Sequence, residues 1–138
     1  MQLNPEKEEP LVSVIIRTIG RVTLKQALDS VCAQSFANVE IVLVDADGAG
    51  NLEQWREQCE RPLKVVCRDH PLKRAAAANA GLAAASGDFL MFLDDDDWLL
   101  PDHVQVLTSA LRCNERSRVV YSGVKCCEEV PQAAGDVC

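Results

Sequence analysis

Asp94-Asp95-Asp96-Asp97 places four carboxylates in a row directly after the apolar run Phe89-Leu90-Met91-Phe92-Leu93. Like charges held so close repel and raise one another's pKa. A hard divalent cation relieves that repulsion. Mg2+ or Mn2+ prefers oxygen ligands and typically takes one or two carboxylates together with substrate phosphates. On extended backbone, residues two apart share a face. Asp94 and Asp96 can therefore divide the work, one ligating metal while the other hydrogen-bonds a ribose or sugar hydroxyl. The plainer alternative is a solvated acidic turn ahead of the helix that Pro101 begins. The place of the run after a buried strand favours the metal reading, with Asp97 starting the next turn.

Other polar groups follow apolar runs in the same way. Asp45 comes after Val39-Glu40-Ile41-Val42-Leu43-Val44 and can accept a hydrogen bond from a base N–H or a ribose hydroxyl. Asp47-Gly48 fits a turn better. Arg17 and Thr18 follow the first apolar run. Lys73 and Arg74 precede an alanine-rich helix, where cations oppose the helix dipole unless an anion such as a diphosphate is bound nearby. Asn79 lies within that helix. Trp98 either walls the site or packs in the core, and His103 is expected at the surface or against a helix.

The elements that must position these groups alternate. Leu11–Ile16 reads as a strand buried on both faces. Thr23 opens a helix, with Gln26 three residues on completing a capping-box pattern. Its apolar stripe is Leu24, Ala27, Leu28 and Val31. Val39–Val44 is a second strand, Asn51–Glu60 a polar helix, and Leu63–Cys67 a third strand. Lys73–Ala85 is the best helix-forming stretch, stopped by Ser86-Gly87-Asp88. Phe89–Leu93 is a fourth buried strand. Pro101 suits the first turn of a last helix, whose apolar face is Val104, Leu107 and Leu111. Val119-Val120-Tyr121 is expected as a final strand. The order β-α-β-α-β-α-β-α-β implies a three-layer α/β/α fold with a mostly parallel sheet. In such sheets ligands bind beyond the carboxyl ends of the strands, where Thr18, Asp45 and the aspartate run all fall. The expected organisation is a flexible lead-in over residues 1–10, one domain over 11–124, and a flexible tail over 125–138.

Composition narrows the function classes. The chain has 138 residues, 48% of them hydrophobic, and a formal net charge of −7. That is enough for one core. The acidic balance argues against nucleic acid as a partner. It leaves a phosphate ligand open, because a bridging metal reverses the local sign. The seven cysteines show no CxxC spacing, so they are expected to be reduced, in a cytoplasmic protein. No run reaches the ~18 apolar residues of a membrane span. Neither G-x-G-x-x-G, a P-loop nor G-x-S-x-G occurs, which weighs against dinucleotide enzymes, P-loop ATPases and that type of serine hydrolase.

Five segments, in this order, resemble the family 2 glycosyltransferases of the GT-A fold. They are Val12–Thr18, Ala27–Val31 with Gln34, Glu40–Asp45, Arg74–Leu82 and Gly87–Asp97. The resemblance covers about residues 11–122. It implies a Rossmann-like, nucleotide-binding half, a nucleotide-diphosphate-sugar donor, Mg2+ or Mn2+ held at a DxD-type motif, and inversion at the anomeric carbon. By position, Thr18 lies by the nucleotide, Asp45 holds the base, and Arg74 sits near base or diphosphate. Asp94 and Asp95 approach ribose and sugar, and Asp96 ligates metal. Arg17 departs from the proline usual at its place. Ala46 stands where a second acidic residue is common, and Ala78 where arginine is frequent.

In this family the catalytic base, usually Asp or Glu, and the acceptor site come from the second half of the domain. Glu128, Glu129 and Asp136 are present, but nothing in their setting marks a base, which must lie within hydrogen-bond reach of the acceptor hydroxyl. The catalytic residue is therefore unknown. The expectation is a donor-binding fragment that needs a further segment to transfer sugar to an unknown acceptor, whether glycan, lipid-linked or protein. The alternatives are a non-catalytic nucleotide-binding or scaffolding module and, lower, a nucleotidyltransferase. The latter would want a Gly-rich basic loop where Arg17-Thr18-Ile19-Gly20-Arg21 stands. An apolar face left open by a missing half would favour a homodimer.

Overall fold

A computed structural model describes residues 9–128. Four strands are β1 (Val12–Thr18), β2 (Val39–Asp45), β3 (Leu63–Val66) and β4 (Phe89–Asp94). The helices are α1 (Leu24–Cys32), α2 (Gln54–Gln58), α3 (Arg74–Ala84) and α4 (His103–Cys113). All strand pairs are parallel, in the order β3-β2-β1-β4. The α/β expectation with a parallel sheet therefore holds. The chain runs outward from β1 to β3 and then returns to the other side of β1, which puts the switch in strand order between β1 and β4.

Helices cover both faces of the sheet. One core gathers Val14, Ile16, Ile41 and Leu43 with the α1 stripe of Leu24, Ala27, Leu28 and Val31. The other sets Ile15, Val42 and Val44 against Ala77 of α3. Alanine and glycine let α3 lie close to the strands. A Cβ on Gly81 would fall 2.4 Å from Cγ2 of the fully buried Ile15.

A buried carboxylate ties the strands together at their amino ends. Glu40 accepts from the Ser13 hydroxyl at 2.6 Å and the Ser86 amide at 2.7 Å, and pairs with Lys64 Nζ at 3.1 Å. Burial alone would raise its pKa. The Ser13, Ser86 and Lys64 contacts outweigh that and hold it below the ordinary glutamate value. Arg61 closes α1, its guanidinium donating to the carbonyls of Cys32, Gln34 and Ala37 at 3.2, 2.6 and 2.6 Å. Those carbonyls have no intrahelical partner, and a cation there also suits the helix dipole.

The structure corrects four expectations. Thr23 does not cap α1: its backbone is already helical (φ −70°, ψ −16°), and its buried hydroxyl has no hydrogen-bond partner. A turn closed by Leu24 N–H to Arg21 C=O at 3.1 Å carries the chain into the helix instead. The polar helix is one short stretch, Gln54–Gln58, with no buried residue. β4 is not buried on both faces: Leu90 and Phe92 are about half exposed, because β4 is an edge strand paired only with β1 among the described residues. Val119-Val120-Tyr121 forms no strand. So short an apolar run gains nothing from extension without a partner strand.

By contact density the chain divides at Val106 into two units. In the second, the described residues complete α4 to Cys113 and then run without regular structure to Glu128. Among the described residues no helix is long and apolar enough to cross a membrane.

Candidate functional site

β1 ends on Arg17 and Thr18, flanked in register by Asp94 on β4 and Asp45 on β2. Parallel pairing thus delivers groups from three strands to one sheet edge. Thr18 is buried, and its hydroxyl donates to Asp95 Oδ2 at 2.8 Å while accepting from Gly20 N–H at 2.9 Å. Arg17 Nη2 pairs with Asp94 Oδ1 at 2.9 Å, and its Nη1 donates to the Arg74 carbonyl at 3.2 Å. Arg21 pairs with Asp96 Oδ2 at 3.3 Å and lies 3.9 Å from Asp95 Oδ1.

The aspartate run splits by direction. A turn closed by Asp97 N–H to Asp94 C=O at 3.1 Å follows β4. It turns Asp95 inward, where it is buried. It also brings carboxylate oxygens of Asp94, Asp96 and Asp97, all exposed, within 4.8 Å of one another. Asp94 and Asp96 therefore meet through a turn, not through the extended backbone expected from their spacing. Asp97, expected to lead away into the next turn, joins them. Its carboxyl is pushed above the usual range by partial burial and then by the charges of Asp96 and Asp94. Three oxygens so placed suit a hard divalent cation.

These groups line a cleft of about 230 Å3. Its lining includes Arg17, Thr18 and Arg21, the carboxylates Asp94, Asp95 and Asp96 that they contact, and Arg74 at the amino end of α3. A neighbouring cleft of about 160 Å3 shares Ile19 and Arg21 with the first and is lined by Asp45, Asp47, Leu52 and Trp55. Asp45 is buried and accepts three amides: Asp47 and Gly48 on Oδ1, both at 3.0 Å, and Gly50 on Oδ2 at 2.7 Å. A carboxylate offers about four lone-pair sites, so one on Oδ2 stays open. Gly48 takes the left-handed conformation (φ +75°) against the His70 backbone, where a Cβ would lie 2.8 Å from the carbonyl carbon.

The residues singled out from sequence thus gather in two adjoining clefts. Thr18, Arg74, Asp94, Asp95 and Asp96 line the first and Asp45 the second. Asn79 and Trp98 line neither. Arg17 and Arg21 had no role assigned to them, though two cations after β1 are the natural complement to four carboxylates after β4. Glu128 is exposed, and Glu129 and Asp136 lie outside the described residues.

Comparison with known proteins identifies the family and the fold. The family model described as Glycosyl transferase family 2 matches residues 13–135. The uncharacterized glycosyltransferase YwdF of Bacillus subtilis (strain 168) is 31% identical over 72% of this chain and 38% of its own. S. aureus TarS 1-349, solved in complex with UDP-GlcNAc, superposes with a TM-score of 0.67 at 23% identity, covering 76% of this chain and 32% of that one. The mannosyltransferase PcManGT of Pyrobaculum calidifontis, in complex with GDP-Man and Mn2+, gives 0.62 at 24% identity over 75% of this chain and 32% of that one. At such identities the structural likeness speaks for the fold. The chain spans about two fifths of the length of the first curated relatives it matches.

Proposed function

The chain belongs to glycosyl transferase family 2, and on that premise we propose that it supplies the donor site of an inverting, metal-dependent glycosyltransferase. The observation that carries this reading is the pair of adjoining clefts at the carboxyl ends of β1, β2 and β4. One mixes guanidinium and carboxylate groups, and the other holds a buried aspartate beside Trp55. A nucleotide-diphosphate sugar has the same division. The base and ribose belong in the Asp45 cleft, where the open lone pair on Oδ2 accepts a base N–H. The diphosphate and sugar belong in the first cleft, among Thr18, Arg74, Asp94 and Asp95. Arg17 and Arg21, now neutralised by the aspartates, supply positive charge beside the phosphates.

Asp96 holds Mg2+ or Mn2+ in this reading, with Asp94 and Asp97 close enough to share it. When bound there, the metal offsets negative charge on the departing nucleoside diphosphate. Asp94, Asp95 and Asp96 already answer Arg17, Thr18 and Arg21. None of these three is left to act as base, and the deprotonation of the acceptor is assigned in this reading to the acceptor half of the family's domain. In this reading the donor-binding domain covers residues 11–124 and the protein is cytoplasmic.

Calorimetric titration of UDP, GDP and dTDP, with and without Mn2+, tests the proposal. Metal-dependent binding of at least one nucleotide is expected, and it should fall at least tenfold in Asp96→Ala with the circular dichroism spectrum unchanged. If no nucleotide binds in either condition, the reading is wrong. Sugar transfer by the isolated chain would refute the assignment of the base to another segment.

A further inference from the structure

Cys32 closes α1, and Cys59 is the residue on which α2 ends. Their sulfurs lie 2.8 Å apart, across 27 positions of sequence. Two thiols so near have one sharing its proton with the other, and only a small approach separates them from bonding distance. The placement has a second anchor. Arg61, two residues past Cys59, donates to the Cys32 carbonyl and to those of Gln34 and Ala37. The chain leaving α2 is therefore clamped onto the end of α1 by groups other than the cysteines. Both side chains are partly buried against the main core.

We propose that Cys32 and Cys59 form a reversible disulfide that pins α2, and with it the wall of the Asp45 cleft, to α1. Five residues long and without a fully buried side chain, α2 is held to the core chiefly by the partly buried Trp55, and helices this short are unstable unless packed. Yet Gln54 and Trp55 of α2 line that cleft. A covalent link at the end of α2 acts on this weakly held wall.

The chemistry balances with an oxidised disulfide such as glutathione disulfide as oxidant. One cysteine thiolate attacks it, forming a mixed disulfide and releasing one glutathione thiolate. The second cysteine gives up its proton and attacks the first sulfur, releasing the other glutathione. The two cysteines lose two electrons and two protons, and the oxidant is reduced to two thiols. Burial, then the contact with Cys59, pushes the Cys32 thiol up to about 12. Exchange is slow for so weak a thiolate source, so equilibration over hours is the suitable regime.

The test is made on the whole chain, in glutathione buffers of graded redox ratio, followed by acid quench and non-reducing tryptic mapping. Cys32 and Cys59 fall in separate peptides, residues 26–56 and 57–64. The expected result is these two peptides joined, with the mass of two hydrogens lost. Oxidation should also raise Tm by on the order of 10 °C, from the loop it closes in the unfolded chain. Amide exchange over Gln54–Gln58 should slow at least fivefold. Both effects should vanish in Cys32→Ser and Cys59→Ser. The proposal is overturned if residues 26–56 and 57–64 remain unlinked in the most oxidising buffer, or if either is joined instead to the peptide holding Cys126 and Cys127. Equal exchange over α2 in the oxidised and reduced protein would overturn the pinning of the cleft wall. No nucleotide is used, so the result is independent of the donor-site reading.

Discussion

Single side chains at this site act as pairs. Asp95 is buried and takes its hydrogen bond from Thr18. Thr18→Val removes that donor while keeping the shape, leaving a buried carboxylate oxygen unsatisfied at a cost of about 1–3 kcal/mol. Chemical denaturation should show that loss, and calorimetry a weaker nucleotide affinity than the loss of fold explains. Glu40 gives a pH prediction. Its folded pKa lies below the ordinary glutamate value of 4.5. The stability it contributes is therefore present above the unfolded pKa and is lost as pH falls through the folded one. Tm should drop on acidification below about pH 4.5, the unfolded glutamate range, and the drop should be shallower in Glu40→Gln. An equal slope in both proteins would refute the assignment. Sequence showed the aspartates because four like charges in a row demand an explanation. It did not show that Asp95 faces inward while Asp97 joins Asp94 and Asp96, since a single backbone turn decides that. Nor did it assign Arg17 and Arg21 as their partners, because those pairs span 75 or more positions.

At the scale of the element, α3 and the loop after β2 show where backbone closeness matters more than propensity. Alanine is favoured over glycine in a helix by about 1 kcal/mol. At Gly81 that gain competes with a contact 2.4 Å from a fully buried, β-branched side chain. Overpacking of this kind costs about 1–3 kcal/mol, so Gly81→Ala should lower stability in a urea melt. An unchanged or raised midpoint would show that Ile15 can yield. Gly48→Ala meets two obstacles, a positive φ and the His70 backbone, and should loosen the Asp45 loop without unfolding the sheet. Strand positions were legible because β1 and β2 are continuous apolar runs buried along nearly their whole length. α2 was read too long because polar residues favour helix locally, yet none of them could bury a face. The capping box at Thr23 failed for a similar reason: the pattern was present, but the preceding turn set the backbone angles.

For the whole molecule, the β4 edge, which has no partner beyond β1 among the described residues, is what the continuous apolar run of that strand did not foretell. Leu90 and Phe92 have the apolar character of a buried strand and stand about half exposed on β4. Exposed apolar edges invite association, which the acidic net charge of −7 opposes at low salt. Sedimentation should show association that grows with protein concentration and salt, and that is abolished by Leu90→Lys with Phe92→Lys. Strictly monomeric behaviour at all salt concentrations would show that the charge is sufficient protection. The homodimer expected from sequence is tested by the same measurement.

The register of β1 has a consequence for how such a chain can diversify. Arg17 faces Asp94, and Thr18 faces Asp45, because one central strand keeps step with both neighbours. An inserted or deleted residue within β1 would shift the ligand-facing groups of both clefts together and turn the buried side chains to the wrong face. The segment from Ala46 to Glu53 is outside any strand ladder and is pinned at fewer points: the amides that Asp45 holds, the bonds of Ala46 to Thr18 and Leu72, the packing of Gly48 on His70, and buried Leu52. Changes of chain length are therefore better borne between those pinned points than in β1, which tolerates only substitution.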